Sequence, residues 1–211
     1  MEIFDESKIK HSFLEISEFA VLFPKHRVSY IKSIEKYMKK VLEDKKIDFE
    51  TDWENLTMYV RTNNKTRDPY MIIKANELIQ LVSKGMLLQD SISILEDGVF
   101  SEIIQLQPLA SGKKSFENRR KRLANPKVIK ALELLTKTKI LVSNKNVCVV
   151  GNTKGIDIVA DVVVKCFNNI HPAYEIKALI VKNNLLFENV SGSWEKFIPK
   201  VEKGKQQRKF H

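Results

Sequence analysis

The chain has 211 residues, a formal net charge of +10, a hydrophobic fraction of 43% and an aromatic fraction of 9%. These values exclude a disordered chain and allow one large or two small domains with buried cores. The excess positive charge favours a polyanionic partner, with RNA, DNA or an anionic membrane surface as candidates. A basic surface that binds no partner would have the same composition, so this interpretation remains as an alternative.

Neither a membrane-spanning segment nor an export signal is predicted. No apolar run approaches the roughly 20 residues that a membrane-spanning helix needs. The acidic N-terminus lacks the basic and apolar regions of a signal peptide. The two cysteines, Cys148 and Cys166, lie in apolar patterns. We therefore expect reduced cysteines in the core of an intracellular protein.

The first half of the chain predicts a strand, a helix, a pair of strands and a second helix. These elements fall at about 17–23, 26–43, 47–51, 56–62 and 68–84, and a further helical stretch follows at 86–96. Asp68 and Pro69 are typical of a helix N-cap and first turn, so the second helix is expected to start there. Gly85 can end it.

A similar order begins again in the second half. It comprises an extended run at 99–106, helices near 114–123 and 127–137, a hairpin of 139–143 with 147–150, a helix capped by Thr153 and ended by His171-Pro172, and a helix at 173–184. No alternation long enough for a doubly wound sheet is present. We predict an α+β fold of two tandem units, each a three-stranded sheet backed by helices. This is the topology of the type I KH domain, an RNA-binding module.

The most informative segment is a run of four cationic side chains, at 119–122, that leads into an Asn-Pro turn and an apolar-striped helix. Free N–H groups and the dipole at a helix N-terminus attract anions, as the nearby cations also do, so we predict phosphate contacts here. Solvated surface and a nuclear-import signal are the alternative interpretations. The predicted RNA-binding residues are Arg119, Arg120, Lys121, Arg122, Asn125, Lys127 and Lys130.

The sequence carries no signature of an enzyme. Gly-Asn-Thr-Lys-Gly at 151–155 lacks the spacing of a phosphate-binding P-loop, so a tight strand-to-helix turn is the better interpretation. The histidines and cysteines have no metal-site spacing. Paired carboxylates, a nucleophile elbow and a catalytic-triad order are also missing. We therefore expect no catalytic residue, no metal, no cofactor and no small-molecule substrate.

Six ordered segments together resemble a known family. They are Leu-Phe-Pro-Lys at 22–25, Asp-Pro-Tyr-Met-Ile-Ile-Lys-Ala at 68–75, Arg-Arg-Lys-Arg-Leu at 119–123, Lys-Ala-Leu-Glu-Leu-Leu-Thr at 130–136, Asn-Ile-His-Pro-Ala-Tyr-Glu-Ile-Lys at 169–177, and Ser-Trp-Glu-Lys-Phe-Ile-Pro at 193–199. The chain resembles the two-KH ribosome assembly factors of the eukaryotic small-subunit processome, a family named for a Lys-Arg-Arg motif.

This resemblance implies a nuclear, chiefly nucleolar, non-catalytic protein whose partners are small-subunit pre-rRNA and other processome proteins, with no membrane partner. It implies a first unit that lacks a glycine loop and serves protein contacts, and a second unit that faces RNA. The expected organisation is an N-terminal extension at 1–16, the two units at 17–97 and 98–186, and a basic tail at 187–211. Trp194 and Phe197 in that tail are predicted to contact a partner protein or to fold back on the second unit.

One departure from the family bears on mechanism. Family members carry a Gly-x-x-Gly loop where this chain has 124–129, which is shorter by two residues and has no glycine. Glycines let a KH loop bring its backbone N–H groups against nucleic acid, and Pro126 removes a further donor. We expect weakened gripping of single-stranded RNA, with contacts through charge retained. A scaffold that binds only proteins and the sister two-KH factor that partners the rRNA-maturing endonuclease remain as alternatives.

Overall fold

The computed structural model describes residues 15–109 and 112–187. Its strands are β1 Glu18–Leu22, β2 Ile47–Asp52, β3 Thr57–Thr62, β4 Phe100–Gln105, β5 Lys139–Val142 and β6 Asn146–Gly151. Its helices are α1 Val28–Asp44, α2 Met71–Lys84, α3 Leu88–Ser91, α4 Lys113–Leu123, α5 Pro126–Thr136, α6 Thr153–Phe167 and α7 Pro172–Phe187. Within these ranges no helix is both long and apolar enough to cross a bilayer.

The strands form two antiparallel three-stranded sheets with the same internal order. The first sheet has the order β1-β3-β2 and the second has the order β4-β6-β5. In each unit, helical structure follows the first strand and a long helix follows the third strand. This arrangement confirms the predicted α+β fold of two KH-like units.

The core of the first unit follows from the two periodicities of its sequence. On β3, Met58 and Val60 are fully buried while Tyr59 between them is partly exposed, as the alternation of a strand requires. On α1, Ile31, Met38 and Leu42 are fully buried and lie on one face of the helix. These side chains belong to one apolar cluster with the residues of α2.

The two units share α2 as a common layer. Along β6, Val147 and Val149 pack into the core of the second unit, whereas Cys148 and Val150 pack into the cluster of the first unit. Both faces of β6 are therefore buried, and α2 lies between the two sheets. The hydroxyl of Ser101 on β4 also donates to Oε2 of Glu77 on α2, at 2.8 Å. The units form one packed body across this layer.

Three helix boundaries differ from the expected ones. Helix α2 starts at Met71 because Oδ1 of Asp68 accepts from the N–H of Tyr70, at 2.8 Å, and forms a turn before the helix. Asn152 rather than Thr153 is the N-cap of α6. The His171-Pro172 pair does not end α6, since α6 ends at Phe167 and Pro172 is the first residue of α7. The predicted end of α2 is confirmed, because Gly85 has a left-handed φ of 118° there.

Gly151 and Gly155 serve close packing rather than phosphate binding. A Cβ atom at Gly155 would lie 2.6 Å from the carbonyl oxygen of Thr136, and one at Gly151 would lie 2.8 Å from Cγ2 of Thr138. A single residue, Asn152, connects β6 to α6, so the segment is the expected tight strand-to-helix turn. Cys148 and Cys166 are free and buried.

Candidate nucleic-acid interface

The predicted site lies where α4 ends and α5 begins, and this turn is built without glycine. The buried side chain of Leu123 anchors the end of α4, and the N–H of Ala124 donates to the carbonyl oxygen of Arg120 at 2.8 Å. Asn125 is the N-cap of α5, because its Oδ1 accepts from the N–H of Lys127 at 3.0 Å. Pro126 occupies the first helical position, where its missing N–H is not needed.

The basic run belongs to the last turns of α4, as the helix predicted near 114–123 implies. Arg120, Lys121 and Arg122 lie in the last turn of that helix, so their charges interact favourably with its negative end. The cations therefore lie at the C-terminal end of α4 and beside the N-terminal end of α5.

Each of the three arginines donates to a neutral oxygen. Nη1 of Arg119 donates to the carbonyl oxygen of Phe167 at the end of α6. Nη1 of Arg120 donates to Oδ1 of Asn144 in the β5–β6 turn at 3.1 Å, and Nη1 of Arg122 donates to Oδ1 of Asn169 at 3.1 Å. These hydrogen bonds tie α4 to α6 and to the hairpin without neutralising any charge.

Exposure divides the predicted residues into two groups. Arg119 and Arg120 are half-buried, and their contacts shape the turn. The structure brings the other residues together around the turn with exposed side chains: Lys121, Arg122, Asn125, Lys127 and Lys130. This second group presents four cations and an amide to solvent, which suits phosphate and sugar contacts. The arginine partners join residues 24 to 48 positions apart, so no local pattern in the sequence indicated them.

A buried thiol lies under the basic run. Sγ of Cys166 donates to the carbonyl oxygen of Arg119 at 3.6 Å. Burial raises the pKa of the Cys166 thiol, and the nearby charges of Arg122 and Arg119 oppose this only in part. The thiol therefore stays protonated at neutral pH and has a packing role.

The first unit has no counterpart of this turn. Helix α1 runs without a break for 17 residues between β1 and β2. Its surface instead carries an apolar groove of about 480 Å³, which includes Tyr30, Ile34 and Tyr37 of α1 and Leu87 before α3. Tyr37 and Leu87 are 57% and 52% exposed. Trp194 and Phe197, the predicted protein contacts of the tail, lie outside the described residues.

Groups that could hold a metal ion do not occur in the described part of the chain. There, no cluster of three or more histidine, cysteine, aspartate or glutamate side chains has suitable geometry.

Three solved structures have a similar fold. A chain of the a/eIF2alpha-aDim2p-rRNA complex from Pyrococcus horikoshii OT3 has 20% identity and a TM-score of 0.71, over 81% of this chain and 96% of that chain. Dim2p from the same organism has 20% identity and a TM-score of 0.67, over 77% and 98%. A protein of unknown function from Aeropyrum pernix has 15% identity and a TM-score of 0.71, over 83% and 97%. At these identities the similarity shows the fold alone.

Two family models match the sequence itself. The Krr1 KH1 domain matches residues 17–97. The second KH domain of the KRR1 small subunit processome component matches residues 99–186. Together they cover most of the chain, in the order in which the two units occur. The chain therefore belongs to the family of the KRR1 small subunit processome component, with its two KH domains in tandem.

Proposed function

We propose that this chain is a non-catalytic, nucleolar assembly factor of the small-subunit processome that binds pre-rRNA through its second unit and other assembly proteins through its first. Its contribution is positional, because it holds an RNA segment and neighbouring proteins in place. Five of the predicted residues, Lys121, Arg122, Asn125, Lys127 and Lys130, contact RNA phosphates and sugars. Arg119 and Arg120 stabilise the α4–α5 turn through their hydrogen bonds to α6 and to the β5–β6 hairpin.

One observation carries this proposal: the cations around the α4–α5 turn have no carboxylate partner among the described residues. Ion pairs occur elsewhere in the same part of the chain, for example between Arg61 and Glu18 at 2.7 Å and between Lys165 and Glu175 at 2.9 Å. Positive charge that the protein leaves unpaired is available to a polyanion, and phosphate neutralisation supplies most of the affinity of non-specific RNA binding.

Binding at this turn is expected to be salt-sensitive and weakly selective. The N–H groups of Ala124, Lys127, Val128 and Ile129 all donate within the protein, and Pro126 has none. A glycine loop would offer such groups to the nucleic-acid backbone. Here the contacts are left to side chains, which attract phosphates without reading bases.

The test is the salt dependence of binding to a single-stranded oligouridine. Replacing Lys121, Arg122 and Lys127 together by Gln should flatten the log–log slope by about 2, which is three contacts at about 0.7 each. The matched control replaces Lys36, Lys39 and Lys40, exposed lysines of α1, by Gln and so removes the same charge. Equal slopes for the two triple variants would move the RNA site away from this turn.

A scaffold that binds only proteins is the second candidate. It is favoured by the hydrogen bonds that occupy the three arginines and the amides of the turn. The apolar groove of Tyr30, Ile34, Tyr37 and Leu87 would then carry the main function. Crosslinking of RNA to the protein inside cells separates the two functions. A protein that enters pre-ribosomes without RNA crosslinks is a scaffold.

A further inference from the structure

Helix α7 has apolar side chains on two sides, of which one packs on the rest of the second unit. On that side, Ile176 and Leu179 belong to an apolar cluster with residues of α5 and α6. Nδ2 of Asn183 also donates to the carbonyl oxygen of Leu135, at 3.4 Å. These contacts hold α7 against α5 and account for its first apolar side.

The second apolar side of α7 faces away from this contact. Tyr174, Ala178, Val181 and Leu185 follow one another at intervals of four, three and four residues, so they share one side of the helix. Val181 comes two residues after Leu179, and at about 3.6 residues per turn this places it nearly opposite. An amphipathic surface helix needs one apolar side, so a second one indicates a further contact. We call these four residues the α7 stripe.

Burial changes along the α7 stripe. Tyr174 is 49% exposed, Ala178 and Val181 are half-buried, and Leu185 is only 8% exposed. Yet Leu185 belongs to none of the three apolar clusters that the described residues form, whereas every other buried hydrophobic residue of those ranges belongs to one. Leu185 is therefore shielded from solvent away from the apolar core of both units.

The segment that follows α7 is long enough to turn back over this stripe. Trp194 comes seven residues after Phe187, the last residue of α7, so it can lie up to about 23 Å from it. Along the helix, Val181 lies about 9 Å and Tyr174 about 20 Å from Phe187. The Ser-Gly-Ser sequence just before Trp194 is typical of a turn.

The tether favours this segment over a separate partner protein. Trp194, Phe197 and Ile198 are large apolar residues in an otherwise polar, basic tail. A short tether gives such a segment an effective concentration on the order of millimolar at the α7 stripe. A free protein of similar affinity would need to exceed that concentration to displace it.

From the α7 stripe, the burial of Leu185 and the tether, we propose that the segment 194–198 packs on the α7 stripe as an intramolecular strap. Trp194 and Phe197 then belong to the second unit and are not free for a partner protein. The strap runs towards Tyr174, five residues after Asn169, whose Oδ1 accepts from Arg122. It therefore directs the basic end of the tail, from position 200 onward, towards the α4–α5 turn.

Fluorescence quenching tests whether the strap is packed. Trp53→Phe leaves Trp194 as the one tryptophan, since the sequence has two. Because packing removes the indole ring from solvent, acrylamide should quench Trp194 about threefold less in the folded chain than in urea. Equal quenching in the folded and the unfolded chain overturns the proposal.

A matched pair of variants in this background tests where the strap packs. Val181→Glu places a charge in the α7 stripe and should raise the quenching of Trp194 to the level of the unfolded chain. Ile180→Glu adds the same charge one residue away, off the stripe, at a side chain that is already 43% exposed. It should leave the quenching unchanged. Circular dichroism checks that both variants fold.

Tyr174→Gln is a second stripe variant, at a half-exposed residue that folding tolerates, and it should also increase the quenching. If neither stripe variant differs from Ile180→Glu, the aromatic segment packs elsewhere and the proposal is wrong. If the quenching increases on dilution of the protein, the segment packs on a second copy, which also overturns the intramolecular strap. These measurements use no RNA, so their outcome is separate from that of the proposed function.

Discussion

The two units have the same strand order but differ in the segment between their first two strands. In the first unit this segment is the single 17-residue helix α1. In the second unit it is divided into α4 and α5, of 11 residues each, with the Asn125-Pro126 turn between them. The break places two helix ends and their side chains at one point of the surface. The first unit has an uninterrupted helix in this segment and therefore has no such point.

The sheets differ in what their second face contacts. On the first sheet that face is exposed, and Arg61 lies between Glu18 at 2.7 Å and Glu50 at 2.8 Å. On the second sheet the same face carries Cys148 and Val150 and packs on the first unit. On the exposed face of the first sheet, Arg61 is thus paired with two acids. The cations around the α4–α5 turn, in contrast, have no acidic partner among the described residues. The second sheet is therefore covered on both faces, whereas the first sheet leaves one face to solvent.

The largest expected effect tests whether the two units unfold as one body. Gly155→Ala places a methyl group 2.6 Å from the carbonyl oxygen of Thr136, and should lower the free energy of unfolding by about 3 kcal/mol. Because α2 packs on both sheets, Trp53 in the first unit should report the same loss. Urea unfolding of a Trp194→Phe background, followed by Trp53 fluorescence and by circular dichroism, measures both units.

The control for this prediction is Gly112→Ser. A Cβ there meets its nearest atom, Oγ of Ser115, only at 3.9 Å, and serine is a good N-cap for α4. This variant should unfold like the unmodified chain. If the Gly155 variant shows two separate transitions, with Trp53 unaffected, the units are not coupled through α2.

The next effect concerns the thiol at the contact between the units. Burial raises the pKa of Cys148 to about 11, from an ordinary value of 9.0, although the charge of Lys84 opposes this. The unfolded chain therefore releases the thiol proton at lower pH than the folded chain. Stability is full below about pH 9 and falls by up to about 2.7 kcal/mol as the pH rises to about 11.

Urea unfolding across this pH range measures that loss. Lysines titrate in the same range, so the comparison is with Cys148→Ala, which should be less stable at neutral pH and should lack the thiol-dependent decline. Parallel pH profiles for the two proteins would mean that the thiol is not desolvated by the first unit.

A smaller effect distinguishes neighbouring residues of the basic run. Arg119→Gln removes the hydrogen bond to the carbonyl oxygen of Phe167 and should cost about 1.5 kcal/mol of unfolding free energy. Lys121→Gln should change the unfolding free energy by less than about 0.5 kcal/mol but flatten the salt dependence of RNA binding by about 0.7. The reverse assignment, with Lys121 affecting stability and Arg119 affecting only RNA binding, would contradict the division into shaping and contacting residues.

The sequence predicted the strands and most helices because each has a clear period. Met58 and Val60 alternate with polar neighbours, and Gly85 marks a helix end whose left-handed φ the structure confirms. It could not predict that Asp68 forms a turn instead of capping α2, since one side chain supports either arrangement. It also could not predict the partners of the arginines. Those depend on how α4 packs against α6 and the β5–β6 hairpin, which local patterns do not encode.

The smallest effect on stability is expected at Asn125, in the turn between α4 and α5. Asn125→Asp and Asn125→Ser both keep an oxygen that can accept from the N–H of Lys127, so unfolding should change by less than about 0.5 kcal/mol in either variant. Only the aspartate adds a negative charge at the turn, so it should weaken oligouridine binding about fivefold at about 0.1 M salt, as the loss of one phosphate contact would. Asn125→Ser is the neutral control, and fluorescence anisotropy measures both. Equal affinity of the two variants would place RNA away from this turn, because a carboxylate there would repel any phosphate bound beside it.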